Sequence, residues 1–189
     1  MTEQEMQMWI ASSLGMSVNA IPNVLLDAGD GRGWYEADLV YFRGNGYLFE
    51  VEIKTSFNDF KKDFEKGKYH TSRQIRGFYY AFPHTLWDER QESIVELLGE
   101  KNPRAGIMIV SGRNATGLPF VFQRAKLRKD ALPLNREQQL AFFRLGCRKW
   151  WKREYEARQQ SWWDEQKKFY ENLSRHLDEE IENKGGDTP

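Results

Sequence analysis

Residues 47–54, YLFEVEIK, decide how this sequence reads. Aromatic and branched residues alternate there with charged ones, which is the period of a β-strand. Tyr47, Phe49, Val51 and Ile53 share an apolar face expected to look into a core, whereas Leu48, Glu50, Glu52 and Lys54 share the other. The preceding segment, WYEADLVYF at 34–42, is a second strand by composition. The intervening RGNG at 43–46 has the turn chemistry of a hairpin loop. Antiparallel pairing through that loop brings Asp38 beside Val51 or Glu52 and puts Glu36 nearer Lys54. Asp38 and Glu52 then converge on one point with Lys54 close by.

Such a set has a chemical meaning. A hard divalent cation such as Mg²⁺ takes a few carboxylate oxygens and keeps water in its other positions. It acidifies a bound water and offsets charge on a phosphate in transit. A neighbouring lysine orients the attacking water or stabilises the growing negative charge. Glu-x-Lys on one strand with Asp on its hairpin partner is therefore a minimal set for phosphodiester hydrolysis. The same pattern also describes a solvated strand face carrying a Glu–Lys pair, and local pattern alone leaves both readings open.

Outward from this hairpin, residues 2–14 have helical spacing at Met6, Trp9, Ile10 and Leu14, with Thr2 and Glu5 placed for a capping box. A short strand is expected near 23–26. Residues 56–68, SFNDFKKDFEKGK, read as a helix capped by Ser56, with Phe57, Phe60 and Phe64 on one face and Asp59 and Asp63 on its surface. Strands are expected at 77–82, 105–110 and 120–122, and an amphipathic helix at 87–98. The order is α-β-β-β-α-β, and the basic helix after YLFEVEIK would lie beside its charged face.

From Asn135, with Gln138 in capping-box position, no proline occurs before Pro189. Apolar residues recur every three to four positions through Leu140, Phe143, Cys147, Trp151, Tyr155, Trp162, Phe169, Leu173 and Leu177. One long helix, broken near Gly146, is expected to project or to pair with another chain. Cys147 is expected in the packed stripe, and the tryptophans are expected to pack or self-associate. The organisation is thus a core at 1–133, a helical extension at 134–183 and a disordered tail at 184–189.

Composition bounds the function. The chain has 189 residues, 28 basic and 28 acidic, and a single cysteine, which excludes an internal disulfide framework and a Cys-rich zinc site. No apolar run reaches the ~20 residues of a membrane helix, and MTEQEMQMWI does not read as a signal peptide. A cytoplasmic protein with no membrane partner is expected. The zero net charge is a cancellation between blocks: −6 over 1–52, +4 over 53–76, −4 over 77–100, +7 over 101–129, +4 over 142–160 and −4 over 161–189. Basic blocks beside an acidic site suit a polyanionic substrate.

The run EADLVYF…FEVEIKTSFNDFKKDFEKGKY…FYYAFP resembles the core of the PD-(D/E)XK, or restriction-endonuclease-like, nuclease superfamily. It is most similar to the MmcB-like group of DNA-repair-associated predicted nucleases. The resemblance covers residues 1–130, and residues 34–83 carry its specificity. It implies a restriction-endonuclease-like α/β core with a mixed central sheet. It further implies a Mg²⁺-dependent deoxyribonuclease, with Mn²⁺ able to substitute, in DNA repair, recombination or phage or bacterial DNA processing. Asp38 and Glu52 would be metal ligands, the carbonyl of Ile53 a further one, and Lys54 the catalytic lysine. Glu36 and Glu50 are candidates to support those ligands. Ser56, Lys61, Lys62, Lys68, Tyr69, Arg73 and Gln74 are candidates for DNA contact.

The sequence departs from the family at Ala37, where relatives carry proline, and at Phe78, where relatives with the Gln74 motif carry tyrosine. An acidic residue of the first helix, Glu3 or Glu5, would complete the site. The alternative is a non-catalytic nucleic-acid-binding or assembly protein that keeps the fold.

Overall fold

The computed structural model describes residues 1–15, 17–29, 31, 33–65, 72–111 and 119–176 in full, and the backbone alone of 177–185. The elements are α1 (Glu3–Ser13), β1 (Asn19–Asp27), β2 (Trp34–Phe42), β3 (Leu48–Ile53), α2 (Phe57–Asp63), β4 (Ile75–Pro83), α3 (His84–Lys101), β5 (Gly106–Val110), β6 (Phe120–Gln123) and α4 (Arg136–Gly185). The six strands form one mixed sheet in sequence order. Pairing is antiparallel through β1, β2 and β3, parallel from β3 to β4 and β4 to β5, and antiparallel again at β6. The expected α-β-β-β-α-β order is present, and β1 is longer than expected.

Both faces of the sheet are covered. Met6 and Ile10 of α1 pack on Leu39, Val51, Ile53, Ala81 and Met108. On the opposite face, Phe60 of α2 and Trp87, Ile94 and Leu98 of α3 enclose Tyr80, Phe82, Ile107 and Ile109. Phe142 and Leu145, from the first turns of α4, close over Val40, Phe42 and Leu48. The charged face of β3 is therefore interior: Glu50, Glu52 and Lys54 are all buried. This removes the reading of a solvated strand face, and the reason is that helices follow β3 and β4 on that side.

Capping chemistry sets the helix starts as the sequence predicts. Thr2 and Glu5 form the reciprocal capping box of α1, and Ser56 Oγ accepts from Asp59 N at the start of α2. Asn135 and Gln138 exchange backbone–side-chain hydrogen bonds at the start of α4. α2 closes at Asp63; the expected continuation to 68 falls partly on residues 66–71, outside the described set. Gly46, at φ +79°, turns the hairpin, and a Cβ there would lie 2.5 Å from the Leu134 carbonyl oxygen. Only glycine allows that approach, which Leu134 N–H uses by donating to the Gly46 carbonyl.

The chain divides into two compact units, Met1–Gly146 and Cys147–Pro189. α4 runs through Gly146 as one element, so the expected break there is absent. Cys147 is exposed rather than packed, and so are Trp150, Trp151, Trp162 and Trp163. Residues 184 and 185 close α4, and 186–189 lie outside the described residues. No described helix is long and apolar enough to cross a membrane.

Candidate functional site

The site begins with an irregularity in the hairpin. Leu39 packs under α1, whereas Ala37 and Val40 both join the core on the other face. The strand alternation is thus interrupted around Asp38, opposite Asn23, a non-glycine residue at φ +52°. There the Asp38 carboxylate turns to the neighbouring strand, where Oδ2 accepts from Ile53 N–H at 2.7 Å. Buried Gln7 of α1 places Nε2 2.9 Å from the Asp38 carbonyl oxygen and 3.0 Å from Glu3 Oε1.

Burial, then the charge of Glu52, then that of Glu3 outweigh the Ile53 hydrogen bond and push the Asp38 carboxyl up to about 7. The first-helix acid whose charge reaches Asp38 is therefore Glu3. Glu5 is engaged with Thr2 in the helix cap, which holds its carboxyl below the usual range.

Glu52 and Lys54 lie at the carboxyl end of β3, beside β4. Lys54 Nζ donates to Glu52 Oε1 at 2.7 Å and to Asp63 Oδ1 at 2.9 Å, with Asp59 Oδ2 at 3.7 Å. Tyr80, the β4 residue opposite Glu52, donates its hydroxyl to Asp63 Oδ2 at 2.7 Å. Burial by itself would lower the Lys54 pKa, but Glu52 and Asp63 override it and hold the ammonium protonated well above its ordinary range. Burial and the Asp63 carboxylate likewise hold the Tyr80 phenol neutral. Lys54 is consequently a fixed cation, unable to serve as a base near neutral pH.

Asp63 is the residue the sequence reading misplaced: it is buried, not on the helix surface. Its signal was available, because it stands one turn after Phe60, whose ring packs against Tyr80 and Phe82 at 5.0 Å. Tyr80 was also missed, hidden in an aromatic run that reads as plain core.

The remaining candidates separate. Glu50 is wholly buried and accepts from the Tyr35 hydroxyl at 2.8 Å, while Glu36 is exposed. Ser56, Lys61 and Lys62 lie on or beside α2, and Lys61 also covers the Phe57 ring. Lys68 and Tyr69 lie outside the described residues. Arg73 and Gln74 precede β4, whose parallel register with β3 puts them at the far end of the sheet from Glu52, about 20 Å along the strand. Arg76, Arg104, Lys126 and Arg128 line a small cavity near that same far end. Of the basic stretch 101–129, Arg104, Lys126 and Arg128 therefore contribute there rather than beside Lys54.

Past the carboxyl ends of β3 and β4 is an open cleft of about 360 Å³, walled by Thr55, Ser56, Asn58, Thr85, Glu89 and Arg90. Ligands of open α/β sheets commonly bind at such strand ends.

The comparisons speak to the fold. Among solved structures, the chain is similar to a protein of unknown function from Silicibacter pomeroyi. The two are 15% identical, the match covers 84% of this chain and 92% of that one, and the TM-score is 0.54. They share a fold. No family model and no curated protein matches the sequence.

Among the described residues, no group of three or more His, Cys, Asp or Glu is gathered to hold a metal ion. The donor set to weigh is thus two carboxylates, Asp38 and Glu52, with the carbonyl of Ile53, the residue after Glu52. A buried carboxylate whose charge raises the proton affinity of a half-buried one suits a small hard cation, whose remaining positions water would fill.

Proposed function

We propose that this chain is a metal-dependent nuclease that hydrolyses DNA phosphodiester bonds on a restriction-endonuclease-like core. The observation that carries the reading is the Asp38 carboxylate bonded to the N–H of Ile53, the residue between Glu52 and Lys54, whose own side chains are paired at the carboxyl end of β3. Asp38, Glu52 and the Ile53 carbonyl would hold Mg²⁺ or Mn²⁺, which when bound supplies an acidified water and charge neutralisation at phosphate. Glu3 adds negative charge from α1.

Lys54, fixed by Glu52 and Asp63, acts through its positive charge: it orients a water or a phosphate oxygen and takes no proton. Thr55, Ser56 and Asn58 give the adjoining cleft hydrogen-bonding groups for a phosphate backbone. Lys61 and Lys62 add positive charge on the same side. The choice of DNA rests on the family resemblance of residues 34–83.

One observation favours the second reading, a non-catalytic nucleic-acid-binding protein. Lys54 is 2% exposed, and a lysine so enclosed also serves as a core ion pair. Calorimetric titration with Mg²⁺ or Mn²⁺ separates the two. Divalent-ion binding that is lost in Asp38→Asn supports the nuclease; absence of any binding favours the second reading.

A further inference from the structure

The helix of the second unit carries an aromatic stripe that has no partner within the described chain. Trp151, Tyr155, Trp162, Phe169 and Leu173 fall within an arc of about 40° at ~100° per residue. All five are exposed, from 45% at Leu173 to 65% at Trp151. Solvated rings in a continuous row mark a contact surface. The row spans about 33 Å of helix at ~1.5 Å per residue.

Its spacing identifies the occupant. The intervals along the stripe are 4, 7, 7 and 4 residues, which read the same in both directions. A twofold axis at Trp162 therefore places Trp151 against Leu173 of a second copy and Tyr155 against its Phe169. Each large side chain then meets one from the other chain, as an isologous interface requires.

One charged contact fits the same arrangement. Beside the stripe, the same twofold register brings Arg158 to Glu165 of the second copy, on both sides of the axis.

We propose that the chain forms a homodimer through antiparallel pairing of the 151–173 helical segments, with Trp162 on the twofold axis. The proposal is independent of the nuclease reading, since no residue of the candidate site takes part.

Sedimentation velocity of the full chain tests it, with oxidative cross-linking to fix the direction of pairing. Wild type should sediment at twice 22.4 kDa. Trp162→Glu should weaken association at least ~10-fold, with the first unit's unfolding transition unchanged. Arg158→Glu should also weaken it, and the added change Glu165→Arg should restore it.

Antiparallel register sets exposed Cys147 beside His176 of the second copy and holds the two native cysteines about 45 Å apart. Under mild oxidation His176→Cys should yield a covalent dimer, and wild type should not. A wild-type monomer at every concentration, or wild-type cross-linking through Cys147, would overturn the proposal.

Discussion

Lys54 and Asp63, one at the end of β3 and the other in the last turn of α2, are joined Nζ to Oδ1 at 2.9 Å, with no side-chain surface of Asp63 open to solvent. Two of the ammonium's three protons are thereby directed at Glu52 and Asp63. A buried ion pair broken on one side leaves an uncompensated charge. Asp63→Ala should cost about 3–5 kcal/mol, with Asp59→Ala, half exposed, within ~0.5 kcal/mol. Urea denaturation of the three proteins measures both. The same physics makes Lys54→Ala a destabilising change, so loss of activity in that variant would not isolate the chemistry.

Tyr80 donates a second bond to Asp63. Tyr80→Phe keeps the ring in its edge-on contacts with Phe60 and Phe78 and removes only the hydroxyl. It should cost about 1–2 kcal/mol in urea denaturation, clearly less than Asp63→Ala, because Lys54 remains to compensate the carboxylate.

Asp38 gives the protein a particular pH response. Its folded-state pKa of about 7 lies above the ordinary 3.8, so between those values the native state holds a proton that the unfolded chain releases. Stability from this group is full below the ordinary pKa, falls as pH rises toward 7, and stays lower beyond. Asp38→Asn keeps an oxygen for Ile53 N–H and removes the titration. In EDTA the variant should be more stable than wild type at about pH 8, by roughly 2–4 kcal/mol, and closer to it at about pH 5. Thermal melts across that range check the sign; parallel pH profiles for the two proteins would refute the cause given.

Much of this was legible in the sequence because it rests on short-range rules. The alternation of 47–54, the RGNG turn and the three capping pairs fixed β3, the hairpin and the helix starts. The pairing that sets Leu39 opposite Val51, next to Asp38 and Glu52, followed from the hairpin turn. What was hidden depends on tertiary placement. Asp63 carries a charge that normally marks a surface, and only the packing of Phe60 against β4 turns it inward. Choosing Glu3 over Glu5 required knowing which acid the Thr2 cap engages. Arg73 and Gln74 belong to a basic segment, and only the parallel register of β3 with β4 shows them at the far end. The aromatic row of α4 predicted burial, but no partner for it lies among the described residues.

The central claim is that Asp38 and Glu52 serve phosphodiester hydrolysis, and cleavage of DNA by the purified full chain tests it most directly. Supercoiled, linear and single-stranded substrates would be compared with Mg²⁺, Mn²⁺ or EDTA, alongside Asp38→Asn, whose fold is checked by its melting transition. The account predicts cleavage by wild type with a divalent ion, none in EDTA, and a loss of at least ~100-fold in Asp38→Asn. Undiminished cleavage by that variant, or no cleavage of any substrate by wild type with either ion, would contradict it.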